Sequence, residues 1–196
     1  MNRALPTALL ALLLAACASP SARFYTLTGA PPVTEAAGPS VAIGPVTIPA
    51  AVDRPEIVTT VAPNEVWPDE FNRWAAPLAD AIGLALAQDL AASLPTPRVT
   101  LAAATTYEPE YRVAIEVQRF ESVTGGYALQ DAVWTVRRSR DGAARNGRTT
   151  AREPAAGASY EALAAAHSKA LARLGQDIAQ AIKALPPAAP ASSAVR

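Results

Sequence analysis

Apolar positions change their spacing from segment to segment along the chain, and each spacing predicts an element. Phe24-Tyr25-Thr26-Leu27 reads as a first strand, followed by a Pro/Gly/Ala loop over residues 29–39. Val41-Ala42-Ile43 and Val46-Thr47-Ile48 alternate with period two, but the phase slips at Gly44-Pro45. Proline cannot donate to a ladder, so a bulge or an edge position is expected there. The β-branched run 57–61, entered through Asp53-Arg54-Pro55, predicts a further strand. Residues 67–74 keep no period and read as an irregular aromatic loop. Leu78, Ile82, Leu86, Leu90 and Leu94 then recur every four residues, the stripe of an amphipathic helix. Pro77 is tolerated only in a first turn, so this helix is expected to begin near Ala75 or Ala76 and to stop at Pro95 and Pro97.

Beyond a short strand at Val99 and Leu101 comes the clearest alternation in the chain. Tyr111, Val113, Ile115 and Val117 interleave with Arg112, Ala114, Glu116 and Gln118, which predicts a half-buried strand. Gly125-Gly126 turns it back into a second long strand over 127–138, an antiparallel hairpin. Asp141-Gly142 and Asn146-Gly147 read as two further turns, with a third strand over 148–153. Ser159 is placed to cap a final helix whose apolar face carries Tyr160, Leu163, His167, Leu171, Leu174, Ile178, Ile182 and Leu185. Pro186-Pro187 ends it. Each helix has a single apolar stripe, so both should cover one sheet face. The predicted fold is an α/β two-layer sandwich, with a mixed, mostly antiparallel sheet carrying two long helices on one face.

Composition narrows the functional classes. Lys and Arg total 17 and Asp and Glu total 17, so no global charge selects nucleic acid. One cysteine allows no disulfide framework. Eighteen prolines against ten glycines point to stiff connections.

The first residues carry a different signal. An apolar run from Ala4 to Ala16 follows Arg3 and is too short to span a bilayer, which needs ~20 residues. A charged start, a short apolar segment and small residues before a cut describe a secretory signal peptide. Leu14-Ala15-Ala16-Cys17 resembles the bacterial lipobox, in which the cysteine is acylated and becomes the first residue of the mature protein. Cys17 is thus the expected lipidation site. Ala18 follows it, where an aspartate in the resembling class favours the inner membrane, so the expected address is the periplasmic face of the outer membrane of a Gram-negative bacterium. The organisation predicted is a signal peptide over 1–16, a lipidated N-terminus and short tether over 17–23, one domain over 24–185, and a disordered Pro/Ala tail over 186–196. Six residues separate Cys17 from Phe24, so the body should lie close to the membrane surface.

Gly44-Pro45-Val46, Asp53-Arg54-Pro55-Glu56-Ile57-Val58 and Arg73-Trp74-Ala75-Ala76-Pro77-Leu78, in that order and soon after a lipobox and Tyr25-Thr26-Leu27, resemble the PqiC/YmbA-type lipoproteins. These are the auxiliary lipoprotein component of ABC-type and MCE-type transport systems of the bacterial envelope. The chain departs from the pattern at Asp89, where members often carry asparagine, and in its arginine-rich segment after Val133. The resemblance implies a non-enzymatic lipid-transport subunit that docks to an MCE-domain periplasmic protein served by a separate permease, supports envelope integrity, and assembles as a homo-oligomeric ring. A passive structural lipoprotein without cargo contact is the alternative. No cofactor and no nucleic acid is implied.

Candidate contact residues follow from side-chain chemistry. Asp53, Arg54, Pro55, Trp67, Phe71, Arg73 and Trp74 are candidates for the partner interface, because tryptophan and arginine are enriched at interface centres. The same residues read as a turn with a satellite of the core. Arg137, Arg138, Arg140, Arg145 and Arg148, with Arg152, surround one predicted hairpin and are candidates for head-group contact, since guanidinium pairs bidentately with phosphate oxygens. A solvated hairpin is the plainer reading. His167, the only histidine, lies on an apolar helix face and is expected in the core rather than at a catalytic centre. No ligand spacing for a metal exists.

Overall fold

The computed structural model describes residues 21–34 and 37–186. Cys17, the Ser19-Pro20 linker and the tail beyond Pro186 lie outside the described residues. The described chain runs β1 (Arg23–Tyr25), β2 (Val41–Thr47), β3 (Glu56–Ala62), β4 (Glu65–Trp74), α1 (Leu78–Ser93), β5 (Val99–Leu101), β6 (Tyr111–Val123), β7 (Tyr127–Arg138), β8 (Ala144–Pro154) and α2 (Tyr160–Lys183). The fold is α/β, as the periodicities predict. Its strands divide between two mixed sheets, one of five strands ordered β5-β2-β6-β7-β8 and one of three ordered β1-β4-β3. In the larger sheet β5, β2 and β6 are parallel and β6, β7 and β8 antiparallel.

Both helices cover one face of the five-stranded sheet, α1 over β2 and β5 and α2 over β7 and β8, and they pack on each other. The core lies between these layers. Leu78, Ile82, Leu86 and Leu90 of α1 meet Leu171, Leu174 and Ile178 of α2 over Val41, Ile43, Val113 and Ile115. At the helix crossing Gly175 lets the backbones approach, since a Cβ there would stand 2.9 Å from the Cβ of Asp89. Asp89 is buried; its Oδ1 accepts from the Ala30 amide at 2.8 Å and its Oδ2 has no partner. Burial pushes this carboxyl above its ordinary range.

Register irregularities decide which side chains reach the core. Along β6, Val113, Ile115 and Val117 point toward the helices; the ladder then passes from Val117–Ala132 to Arg119–Asp131. Gln118 is thus the extra residue of a bulge, and the phase shift brings Phe120 and Ser122 to the helix face. In β2 the register jumps between Ile43 and Val46, where the cis Gly44-Pro45 peptide sits, in agreement with the phase slip in the sequence.

Four local expectations are corrected. Residues 67–74 are strand rather than loop, paired with β3 from Val66–Thr60 to Arg73–Glu56. Pro68 hid it, yet β1 bonds only Asn72, Arg73 and Trp74, so at Pro68 the outer side of β4 is an edge that needs no amide. Helix α1 begins at Leu78, after an extended Pro77, because a residue before proline is driven out of the helical region. Asn146-Gly147 is no turn: both residues lie inside β8, and the Trp134 ring rests on Gly147, in the space a Cβ would take. The first strand covers Arg23–Tyr25 rather than running to Leu27. Past it the chain leaves the sheet and is tied to both helices by Thr28 N to Ser168 Oγ and Gly29 N to Gln88 Oε1.

Candidate docking surface

The end of the molecule where the described chain begins is held by a polar network with Asp69 at its centre. In β4, Asp69 Oδ1 accepts from the amides of Phe71 (2.8 Å) and Asn72 (3.0 Å), a side-chain-closed turn that bulges the strand between its pairings at Asp69 and Arg73. Asp69 Oδ2 accepts from the Tyr160 hydroxyl at 2.7 Å, which ties the bulge to the first residue of α2. Burial opposes the charge on Asp69, but the Tyr160 hydroxyl and the two amides outweigh it and hold the carboxyl below its ordinary range. Burial and the facing carboxylate push the Tyr160 phenol up to about 12. Tyr25 closes the network, donating to Asn72 Oδ1 at 2.8 Å with its ring 6.1 Å from that of Tyr160. Ser159 caps α2 by accepting from the Ala162 amide, as its position in the sequence indicates.

The bulge turns Phe71 outward. On one side it lines an open groove of about 940 Å³ between β1 and the first half of α2, together with Ser21, Arg23, Phe24, Tyr160 and Ala164. On the other it lines a smaller hollow of about 490 Å³ with Arg54, Glu56, Trp67, Glu70 and Arg73. Of the candidate interface residues, Arg54, Trp67, Phe71 and Arg73 are therefore brought together. Glu56 accepts from Arg54 at 3.0 Å and pairs with Arg73 at 3.2 Å. Asp53 and Pro55 lie exposed on the adjoining turn. Trp74 belongs to the core: its amide donates to Pro55 O at 2.8 Å, and its ring meets Phe120 and His167 edge-on. Phe24, which alternation alone does not single out, is the aromatic side chain that sequence reasoning missed; only its position on an outer strand leaves it exposed.

The arginines do not form one patch. Arg138 is buried beneath the end of α2 and donates Nε and Nη2 to Asp141 and Nη1 to Pro186 O at 2.7 Å. Arg145 donates to Ala184 O at 3.1 Å. Arg145 thus bonds the C-cap carbonyl of α2 and Arg138 a carbonyl two residues beyond it, so both cations lie at the helix C-terminus, where they are favoured. On the helix-free face, Arg148 pairs with the buried Asp131 and holds its carboxyl below the ordinary range, and Arg152 lies 3.7 Å over the Tyr127 ring. Arg137 reaches Gly142 O, and Arg140 also engages a partner. With 24 residues at ~1.5 Å each, α2 places the Arg138 end about 36 Å from Tyr160 at the start of the helix.

Ser122 and His167 stand in hydrogen-bond contact, Oγ to Nε2 at 2.8 Å. Gln130 Nε2 lies 3.1 Å from His167 Nδ1 and donates to His167 O at 3.0 Å, so Nδ1 is the acceptor and Nε2 carries the proton. The imidazole therefore donates to the serine, opposite to what a general base does. It is fully buried, stacked 3.9 Å from Phe120, and its pKa is lowered to about 3 by burial. In the groove, Ser168 Oγ is likewise committed: it donates to Ala164 O and accepts from the Thr28 amide. Among the described residues no three metal-binding side chains cluster, and no helix is long and apolar enough to cross a membrane.

The described residues thus form an α/β body that leaves an aromatic groove exposed beside the first half of α2. A family model of ABC-type transport auxiliary lipoprotein components matches residues 25–179, and the chain belongs to that family. The crystal structure of an uncharacterised protein shares the fold at TM-score 0.70 and 15% identity, over 83% of this chain and 99% of that one. A Xanthomonas campestris protein matched to the family model DUF330 shares it at TM-score 0.62 and 20% identity, over 82% and 95%. No curated protein matches the sequence. The resemblance drawn from residues 25–94 thus stands: the protein is an auxiliary component of an ABC-type transport system.

Proposed function

We propose that this protein is a non-enzymatic lipoprotein subunit of an MCE/ABC-type lipid transport system, anchored through Cys17 to the periplasmic face of the outer membrane. It docks there to the MCE component, with a separate permease, and supports envelope integrity. The observation that carries this reading is the family match over residues 25–179. The Ser122–His167 pair, which a sequence reading for hydrolases would seek, is closed to solvent and polarised away from catalysis, which supports a binding role.

Cross-linking in native cells followed by affinity capture of the tagged full-length protein is expected to recover an MCE-domain protein. Its deletion is expected to sensitise the cells to detergent. Repeated capture without an MCE-domain protein, from cells in which the tagged protein is membrane-bound, overturns the docking role.

A further inference from the structure

Among the described residues, seven large hydrophobic side chains are exposed, and five of them, Phe24, Val61, Val66, Trp67 and Phe71, belong to the three-stranded sheet. Phe24 is 64% and Trp67 63% exposed. Phe71 lines both the groove with Phe24 and the hollow with Trp67, so the three aromatic rings mark one surface rather than scattered positions. Concentrated apolar exposure of this kind marks a surface that something covers.

Chain length indicates what covers it. Ser21 and Arg23 line the same groove as Phe24 and Phe71. Cys17 precedes Ser21 by four residues, which span at most ~14 Å when fully extended. A bilayer holding acyl chains on Cys17 therefore lies within that distance of the groove mouth. Tryptophan settles at the head-group level of a bilayer, phenylalanine sinks into the boundary between head groups and acyl chains, and arginine beside them lays its stem on the apolar layer with its guanidinium in water. Arg23, Arg54 and Arg73 are matched by Glu56, Glu70 and Glu161 around the two hollows, so apolar partition rather than net charge would drive the contact.

We infer that the Phe24–Phe71–Trp67 surface lies in the head-group region of the leaflet that holds the Cys17 acyl chains, docking the body onto the membrane in one orientation. This rests on Cys17 being acylated. It also sets the Arg138 end of α2 away from the membrane, toward the periplasm.

Trp74 and Trp134 are 5% and 8% exposed, so Trp67 is the tryptophan that quenchers can reach. Full-length protein, expressed with its leader and extracted from cells in detergent, is reconstituted into phosphatidylethanolamine/phosphatidylglycerol vesicles whose acyl chains carry bromine near the head group. The emission of Trp67 is expected to shift to shorter wavelength and to be lost to the bromine, at high ionic strength as at low, and Trp67→Phe is expected to remove the quenched component. Vesicle-bound protein whose Trp67 emission is untouched by bromolipid overturns the docked orientation while leaving the anchor intact. The orientation is equally overturned if Trp67 in those vesicles is shielded from iodide but unquenched by bromolipid, since a second copy of the protein then covers the surface. Failure of the protein to float with any vesicle refutes the acylation, and the orientation falls with it.

Discussion

Gly147 shows how a residue can be legible in type and misleading in meaning. Asn-Gly is a strong turn signal, yet here the glycine is spent on leaving room for the ring of Trp134, whose indole donates to Thr149 Oγ1 at 3.1 Å. Gly147→Ala is expected to cost about 1–3 kcal/mol, read as a lower midpoint in chemical denaturation, because the ring has no free space to move into. His167 is the second residue whose role needed its neighbours. Its pKa of about 3 in the folded protein lies below the ordinary 6.5, so the unfolded chain takes up the proton first as pH falls. The stability tied to a neutral His167 is full above pH ~6.5 and declines toward pH 3, with a slope of at most ~1.4 kcal/mol per pH unit. In His167→Gln this part of the slope is expected to vanish, so the fall in denaturation midpoint between pH 7 and pH 5 becomes smaller than in the parent protein.

Elements were readable where local periodicity and burial agree. The Leu78-to-Leu94 stripe and the 111–117 alternation each announce a buried face, and the structure buries those faces. Strand β4 was not readable, because a proline is tolerated on its unpaired side and a bulge at Asp69 breaks its phase. The arginine-rich hairpin was readable as a turn but not as two populations. Arg138 serves the end of α2 from a buried position with Asp141 beside it, whereas Arg145 reaches the same helix end from solvent. Arg138→Ala is therefore expected to lower thermal stability clearly more than Arg145→Ala, a difference visible in paired melting curves.

The whole molecule is a body with two unlike ends. One carries the start of the described chain, the Asp69–Tyr160 network and the aromatic surface; the other carries the arginine-capped end of α2. The lipid anchor proposed at Cys17 would give that asymmetry a direction. Cys17→Ser is expected to move the protein from the membrane fraction to the soluble periplasm and to reproduce the detergent sensitivity of a deletion. Fractionation of cells expressing the variant checks the first, and growth in detergent the second. Retention in the membrane with an intact barrier contradicts the anchor.

By itself the sequence determined the helices, the central hairpin, the α/β class and the family, because each depends on spacing within a few residues or on short motifs in order. Only the tertiary structure decided that the strands split into two sheets, that Ser122 meets His167, that the arginines part company, and that Phe24, Phe71 and Trp67 share one surface. Those outcomes join residues far apart in the chain, such as Arg23 with Asn72 and Asp69 with Tyr160. Periodicity tells which face of an element is apolar; what comes to lie against that face is set by long-range register and bulges, which leave no local mark.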